Sequence, residues 1–172
     1  NEEIDPDTLN EALRSTAQEW PQFQVTLHRG LFWHYFESTD QLPTAQPETK
    51  APCAPLYTPE RRNKLIYRVT YFGARINLEM FHAITDGNGG LLYLKSIVRN
   101  YLALRHPGEM ENVPSPNSAS AGDMAQDSFR NFYEGTKRKK SAKKPKVYRP
   151  HGFLPYSQLQ FFEGHLSSKQ VL

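Results

Sequence analysis

The stretch RINLEMFHAITDGNGGLLYLKSIVRNYL, residues 75–102, decides how this chain folds. Its first eight residues alternate. Ile76, Leu78, Met80 and His82 share one face, and Arg75, Asn77, Glu79 and Phe81 share the other, the two-residue period of a strand. Further along the period changes. Leu91, Leu94, Val98, Tyr101 and Leu102 recur at helical spacing, and Pro107 with Gly108 stops the run. Between strand and helix lies a joint holding His82, Asp86, Gly87, Gly89 and Gly90. The joint is either an ordinary turn or the place where chemistry happens.

Working upstream, NKLIYRVTYF (residues 63–72) reads as a second strand, joined to the first at Gly73-Ala74. The strand over residues 75–82 is expected to be central in its sheet, because it is apolar on one face and carries few charges. FQVTLH and LFWHYFES, residues 23–28 and 31–38, predict a hairpin turning at Arg29-Gly30. DPDTLNEALRSTAQEW predicts a helix with Asp5 as N-cap and Pro6 in its first position. Its apolar stripe is Leu9, Ala12, Leu13, Ala17 and Trp20, and Pro21 ends it. Residues 38–60 carry five prolines and predict a surface loop. Downstream, residues 111–147 are rich in Ser, Pro, Asn, Ala and Lys and predict a mobile segment. QLQFFEGHL, residues 158–166, alternates like a strand, and SSKQVL opens a helix that stops within one turn. One turn cannot bury a face, so the chain is expected to continue in a longer protein. The order of elements predicts an α/β fold: a two-layer sandwich in which helices cover one face of a mostly antiparallel, mixed sheet.

With 172 residues, 38% hydrophobic and 23% charged, one domain with a real core is expected over residues 1–172. No apolar run approaches the roughly 18 residues of a membrane span. The first residues, NEEIDPDTLNEALR, are acidic and amphipathic, unlike a secretory leader. Cys53 is the sole cysteine, which excludes an intramolecular disulfide and suits a reducing, cytoplasmic setting. The net charge of +3 is unevenly spread. KRKKSAKKPKVYR, residues 137–149, holds eight Lys or Arg and no acid, leaving 13 basic against 18 acidic residues elsewhere. A nucleic-acid interface would need a partner fold or interleaved aromatics, and only Tyr148 is near. The run reads as a solvated loop, and no nucleic-acid partner is expected.

HAITDG, residues 82–87, matches HxxxDG, and in this strand–turn–helix setting the chain resembles the CoA-dependent acyltransferases related to chloramphenicol acetyltransferase and the condensation domains. The look is closest to the alcohol-acetyltransferase-like branch, through WPQFQVTLHRGLFWHYFE and FHAITDGNGGLLYLK. The resemblance spans nearly the whole chain but only about the N-terminal half of such a protein, whose site lies in a tunnel between two halves. It implies transfer of an acyl group, acetyl in the first instance, from a CoA thioester to an alcohol, or less readily an amine. Acyl-CoA is then a co-substrate, with no permanently bound cofactor and no metal. His82 is implied as general base, Asp86 as a structural brace salt-bridged to an arginine, and Gly87 as the turn residue. The second half downstream is implied as a partner, and the half alone is expected to be inactive and prone to self-association. Two positions depart from the pattern. Phe81 stands where many members have a second histidine. Gln24 stands where relatives carry the arginine, leaving Arg29 or Arg75 as the partner of Asp86.

The residue types suit the reaction. An acceptor's proton must leave as the acyl bond forms, and imidazole is the side chain best matched to that task at physiological pH. Plainer readings of the same residues also exist. His82 is alternatively a packed structural histidine, and Asp86-Gly87 an ordinary turn pair. A metal site would need a third ligand, and none falls nearby in sequence. The glycines at a helix start resemble a phosphate cradle, but lack the GxxxxGK[ST] lysine and the GxGxxG spacing. His28, His34, His106, His151 and His165 read as surface or packing residues. A second function class is a non-catalytic interaction module that keeps the acyltransferase fold.

Overall fold

The computed structural model describes residues 2–49, 55–57, 63–110 and 113–116, with Tyr133, Gly135, Gly164, His165, Ser167 and Lys169. The chain divides into two compact units, Asn1–Ser128 and Phe129–Leu172, and every element named here belongs to the first. Cys53 and the basic run 137–149 lie outside the described residues, as does almost all of the expected strand 158–166 and the helix after it.

Helix α1 spans Pro6–Glu19. The Asp5 carboxylate accepts from the Thr8 amide at 2.9 Å and from the Thr8 hydroxyl. Pro6 follows, where its missing N–H costs nothing. The Trp20 amide closes the helix on the Thr16 carbonyl, and a single 3₁₀ turn, Pro21–Phe23, redirects the chain. Strands β1 (Val25–Arg29) and β2 (His34–Ser38) form an antiparallel hairpin that pairs Leu27 with Phe36. Its turn is longer than the expected Arg29-Gly30, running from Gly30 to Trp33 and closed by Gly30 N–H donating to the Trp33 carbonyl at 2.7 Å.

The other sheet has three strands in the order β3-β4-β5. β4 (Tyr67–Phe72) and β5 (Arg75–Met80) are antiparallel, turning at Gly73, whose φ of 54° favours glycine. β3 is a two-residue strand, Gln46–Pro47, parallel to β4 and inside the segment expected to be loop. A proline is tolerated there because β3 is an edge. A bridge from Thr26 to Leu65 links the two sheets. β4 is the central strand, correcting the expectation for β5. An apolar face on one side suits an edge strand equally well, and a strand becomes central only by finding two neighbours.

The result is a mixed α/β fold, with two helices packed against sheets of antiparallel and mixed strands. Tyr67 and Val69 of β4 join Leu9, Leu13, Trp20, Phe23, Tyr93 and Ile97 in one core cluster, with Ile76, Leu78 and Met80 of β5 against it. Trp20 stacks on Phe23 at 5.6 Å between ring centroids, and Tyr93 meets Trp20, Phe23 and Tyr67 edge-on.

Helix α2, Gly87–Arg105, buries Tyr93, Ser96, Ile97, Asn100 and Tyr101, a stripe that shares only Tyr101 with the expected one. Leu91 is exposed, while Leu94, Val98 and Leu102 line a shallow groove with Ile4, Ala74 and Ile76. The helix has two stripes of comparable spacing, and α1 selects between them by hydrogen bonding. Trp20 Nε1 donates to Ser96 Oγ at 2.9 Å, and Asn100 Nδ2 donates to Thr16 Oγ1 and Glu19 Oε1, both at 3.0 Å. Polar side chains are cheap to bury when they are paired in this way.

Candidate active site at the β5–α2 joint

The joint begins where β5 ends, at Met80. Phe81 N–H donates to the Ile66 carbonyl at 3.0 Å, extending the pairing by one residue. His82, Ala83 and Ile84 then form a turn closed by Ile84 N–H donating to the Phe81 carbonyl at 3.1 Å. Ile84 packs against the core and pins the turn. His82 therefore sits two residues beyond the strand, exposed, rather than ending it on the apolar face. Among the described residues no side chain hydrogen-bonds its ring. In this structure the His82 ring is exposed rather than packed. The flanking apolar side chains Phe81, Leu91 and Leu92 are also substantially exposed.

Asp86 is the N-cap of α2. Its backbone is extended, with φ −82° and ψ −179°, and its carboxylate accepts from Gly89 N–H at 2.8 Å. This satisfies one of the unpaired amides at the helix start. No guanidinium or ammonium of the described residues pairs with Asp86. Arg75 is paired with Glu48, Arg68 with Glu79 on the sheet face away from the helices, and Arg29 lies on the far hairpin. Gln24 spends its amide elsewhere: Nε2 donates to the buried Tyr67 hydroxyl at 2.9 Å, which also accepts from Tyr93 at 2.9 Å. Burial holds the Tyr67 phenol above the ordinary tyrosine range despite those two bonds, and burial beside Tyr67 pushes Tyr93 up further. Among the described residues, Asp86 is held to the start of α2 through Gly89 N–H and to no arginine.

Gly87 occupies the first helical position, and a Cβ there would meet nothing within 4 Å. The sterically demanded glycine is Gly89. A Cβ on it would fall 2.0 Å from Thr85 Oγ1, so helix start and turn interlock at Thr85-Gly89. The run of three glycines hinted at such closeness, but nothing in the sequence singled out Gly89. Among the described residues, no three His, Cys, Asp or Glu side chains gather as a metal set. A cleft of about 310 Å³ on the β3 side of β4 is lined by residues including Thr44, Lys64 and Arg68, and by none of His82, Asp86 and Gly87. Among the described residues no helix is long and apolar enough to cross a membrane.

No family model matches the chain, and no curated protein matches it significantly. Among solved structures it is similar to the SgcC5 protein of Streptomyces globisporus, crystallised with (R)-(-)-1-(2-naphthyl)-1,2-ethanediol and sucrose. The identity is 18%, over 60% of this chain and 28% of that one, with a TM-score of 0.47. The chain therefore spans under a third of that protein's length.

Proposed function

We propose that this chain bears the general base, His82, of a CoA-dependent acyltransferase working on a small alcohol, or less readily an amine. The reading rests on one observation: an exposed imidazole, free of side-chain partners among the described residues, on a turn tied down at both ends. Such a group is rigidly placed and still open to an acceptor, which proximity catalysis requires. The ring takes the acceptor's hydroxyl proton as that oxygen attacks the thioester carbonyl. The tetrahedral intermediate collapses, the C–S bond breaks, and the imidazolium returns the proton to the leaving sulfur. Ester and free CoA result, with no metal or resident cofactor. Asp86 and the Thr85-Gly89 interlock hold the turn without touching substrate. In this reading a downstream half completes the acceptor and acyl-CoA sites, and the protein works in the cytoplasm. The test is thiol release from acetyl-CoA with a panel of alcohols and amines, using the protein with its downstream sequence. His82→Ala should lower kcat about 10²–10⁴-fold and leave KM for acyl-CoA within a few-fold. Near-normal kcat with several acceptors would remove His82 from the role.

A second reading, a non-catalytic interaction module on the same fold, draws on Asp86 having no cationic partner among the described residues and on Gln24 being bound to Tyr67. It predicts no turnover by the wild-type protein with any acceptor in the panel.

A further inference from the structure

We infer that Asn88 is a self-modifying residue: the Gly89 amide closes onto its side chain, ammonia leaves, and the Asp86 cap sets the rate. Asn88-Gly89 is the one Asn-Gly pair in the chain. A glycine after Asn removes the side chain that would crowd the attacking nitrogen, and it lets the backbone reach the ring-closing geometry. Asn88 sits in the first turn of α2, exposed, and its carboxamide bonds to no described residue. The carbon under attack is therefore open to water and tied to nothing among those residues.

The joint itself demands this labile pair. A Cβ on residue 89 would fall 2.0 Å from Thr85 Oγ1, so the packing of the turn keeps a glycine after Asn88. The helix start restrains the reaction. The attacking nitrogen is the one whose N–H donates to the Asp86 carboxylate at 2.8 Å, and Gly90 N–H donates to the Asp86 carbonyl at 3.0 Å. Helical backbone at Asn88 also turns the Gly89 nitrogen away from the side-chain carbon. Ring closure hence needs the first turn to open, and helix ends are where opening is easiest.

Water is the only co-reactant. Gly89 N bonds to Asn88 Cγ and gives its proton to solvent, while Nδ2 takes up a proton and departs as ammonia, leaving a succinimide. Water then opens either ring carbonyl. Attack at Cγ yields aspartate on an unaltered main chain, whose charge suits a helix N-terminus. Attack at the Asn88 backbone carbonyl yields isoaspartate, which routes the main chain through an extra methylene and undoes the turn beside His82.

The test incubates the 172-residue chain and a peptide of residues 84–92 side by side in mildly alkaline buffer. Asn88 is followed by peptide mass and by chromatographic separation of aspartate from isoaspartate. Product should accumulate at Asn88 in the chain, several-fold more slowly than in the peptide. Asp86→Ala should speed it about fivefold, the equilibrium worth of an N-cap. Gly90→Ala should slow it about two- to fivefold, because alanine favours the helix. The added Cβ would lie in ordinary contact, 3.6 Å from Met80 Sδ. Should Asp86→Ala unfold, Gly90→Ala still reads the dependence in the folded protein. Under the proposed function the isoaspartyl form should lose turnover; that consequence alone rests on His82 being the base, whereas the modification is read by mass. A chain that forms no product while the peptide is consumed would overturn the inference. So would a chain rate equal to that of the peptide, or rates that neither variant changes.

Discussion

The seam between α1 and α2 and the turn between β5 and α2 are separated by barely two turns of one helix, yet they are built on opposite terms. In the seam, Leu9, Leu13, Tyr93 and Ile97 have no exposed surface, and the polar groups among them are bonded across the helices. In the turn, His82 and Asp86 are exposed, and shape is kept by a cap, two backbone hydrogen bonds and one close approach at Gly89. Stability should therefore reside in the seam, and the reactivity of the proposed function in the turn. The contrast shows how a fold can hold a side chain in place without packing it.

Variants order this contrast. Ile97→Ala, in the fully buried stripe, should cost about 2–5 kcal/mol in denaturant unfolding; a loss below about 1 kcal/mol would mean the seam does not carry the fold. Ser96→Ala removes the acceptor of a buried indole N–H and should cost about 1–3 kcal/mol. Replacing Trp20 by Phe in that background should recover part of the loss.

Alkaline pH tests the same region without mutation. The Tyr67 and Tyr93 phenols are held above their ordinary 10.0, so the unfolded chain loses protons that the folded chain keeps. Their contribution is complete below about pH 10 and declines as pH rises further, at up to about 1.4 kcal/mol per unit per tyrosine. Tyr93→Phe should flatten the alkaline limb of a stability–pH curve. An unchanged limb would mean that these phenols ionise freely.

Within the turn the effects are smaller. Gly89→Ala should cost about 1–3 kcal/mol through overpacking against Thr85, and much of that should vanish in a Thr85→Ala background, as a double-mutant cycle would report. Additivity would disprove the interlock. Asp86→Ala should cost about 1 kcal/mol, the value of an N-cap, with Asp86→Asn close to wild type. A loss of 3–5 kcal/mol would instead reveal a buried ion pair. Smallest of all, His82→Ala should change stability by no more than about 0.5 kcal/mol, while having the largest effect on turnover under the proposed function. A large loss of stability would make His82 a structural residue.

The candidate site was half legible in the sequence. The spacing of His82 and Asp86 located the joint, because strand and helix periods change there and can be read locally. The exposure of His82 was not legible, since it depends on β5 ending at Met80 rather than two residues later. Nor was the role of Gly89, which follows from the orientation of one threonine hydroxyl, or the engagement of Gln24, whose partner Tyr67 is 43 residues away.

For the fold the division is similar. Sequence alone determined where α1 starts, where α2 stops and where the β4–β5 hairpin turns, because Asp5-Pro6, Pro107-Gly108 and Gly73 act on backbone within a few residues of themselves. Only the tertiary structure decided that β4 is central, that a parallel strand forms at Gln46–Pro47, and that α2 turns Ser96 and Asn100 inward. Those outcomes hang on contacts such as Trp20 with Ser96 and Thr16 with Asn100, 76 and 84 residues apart. Helical periodicity offered two stripes on α2, and the one that won was the one whose polar groups could be satisfied by a partner that the local sequence does not contain.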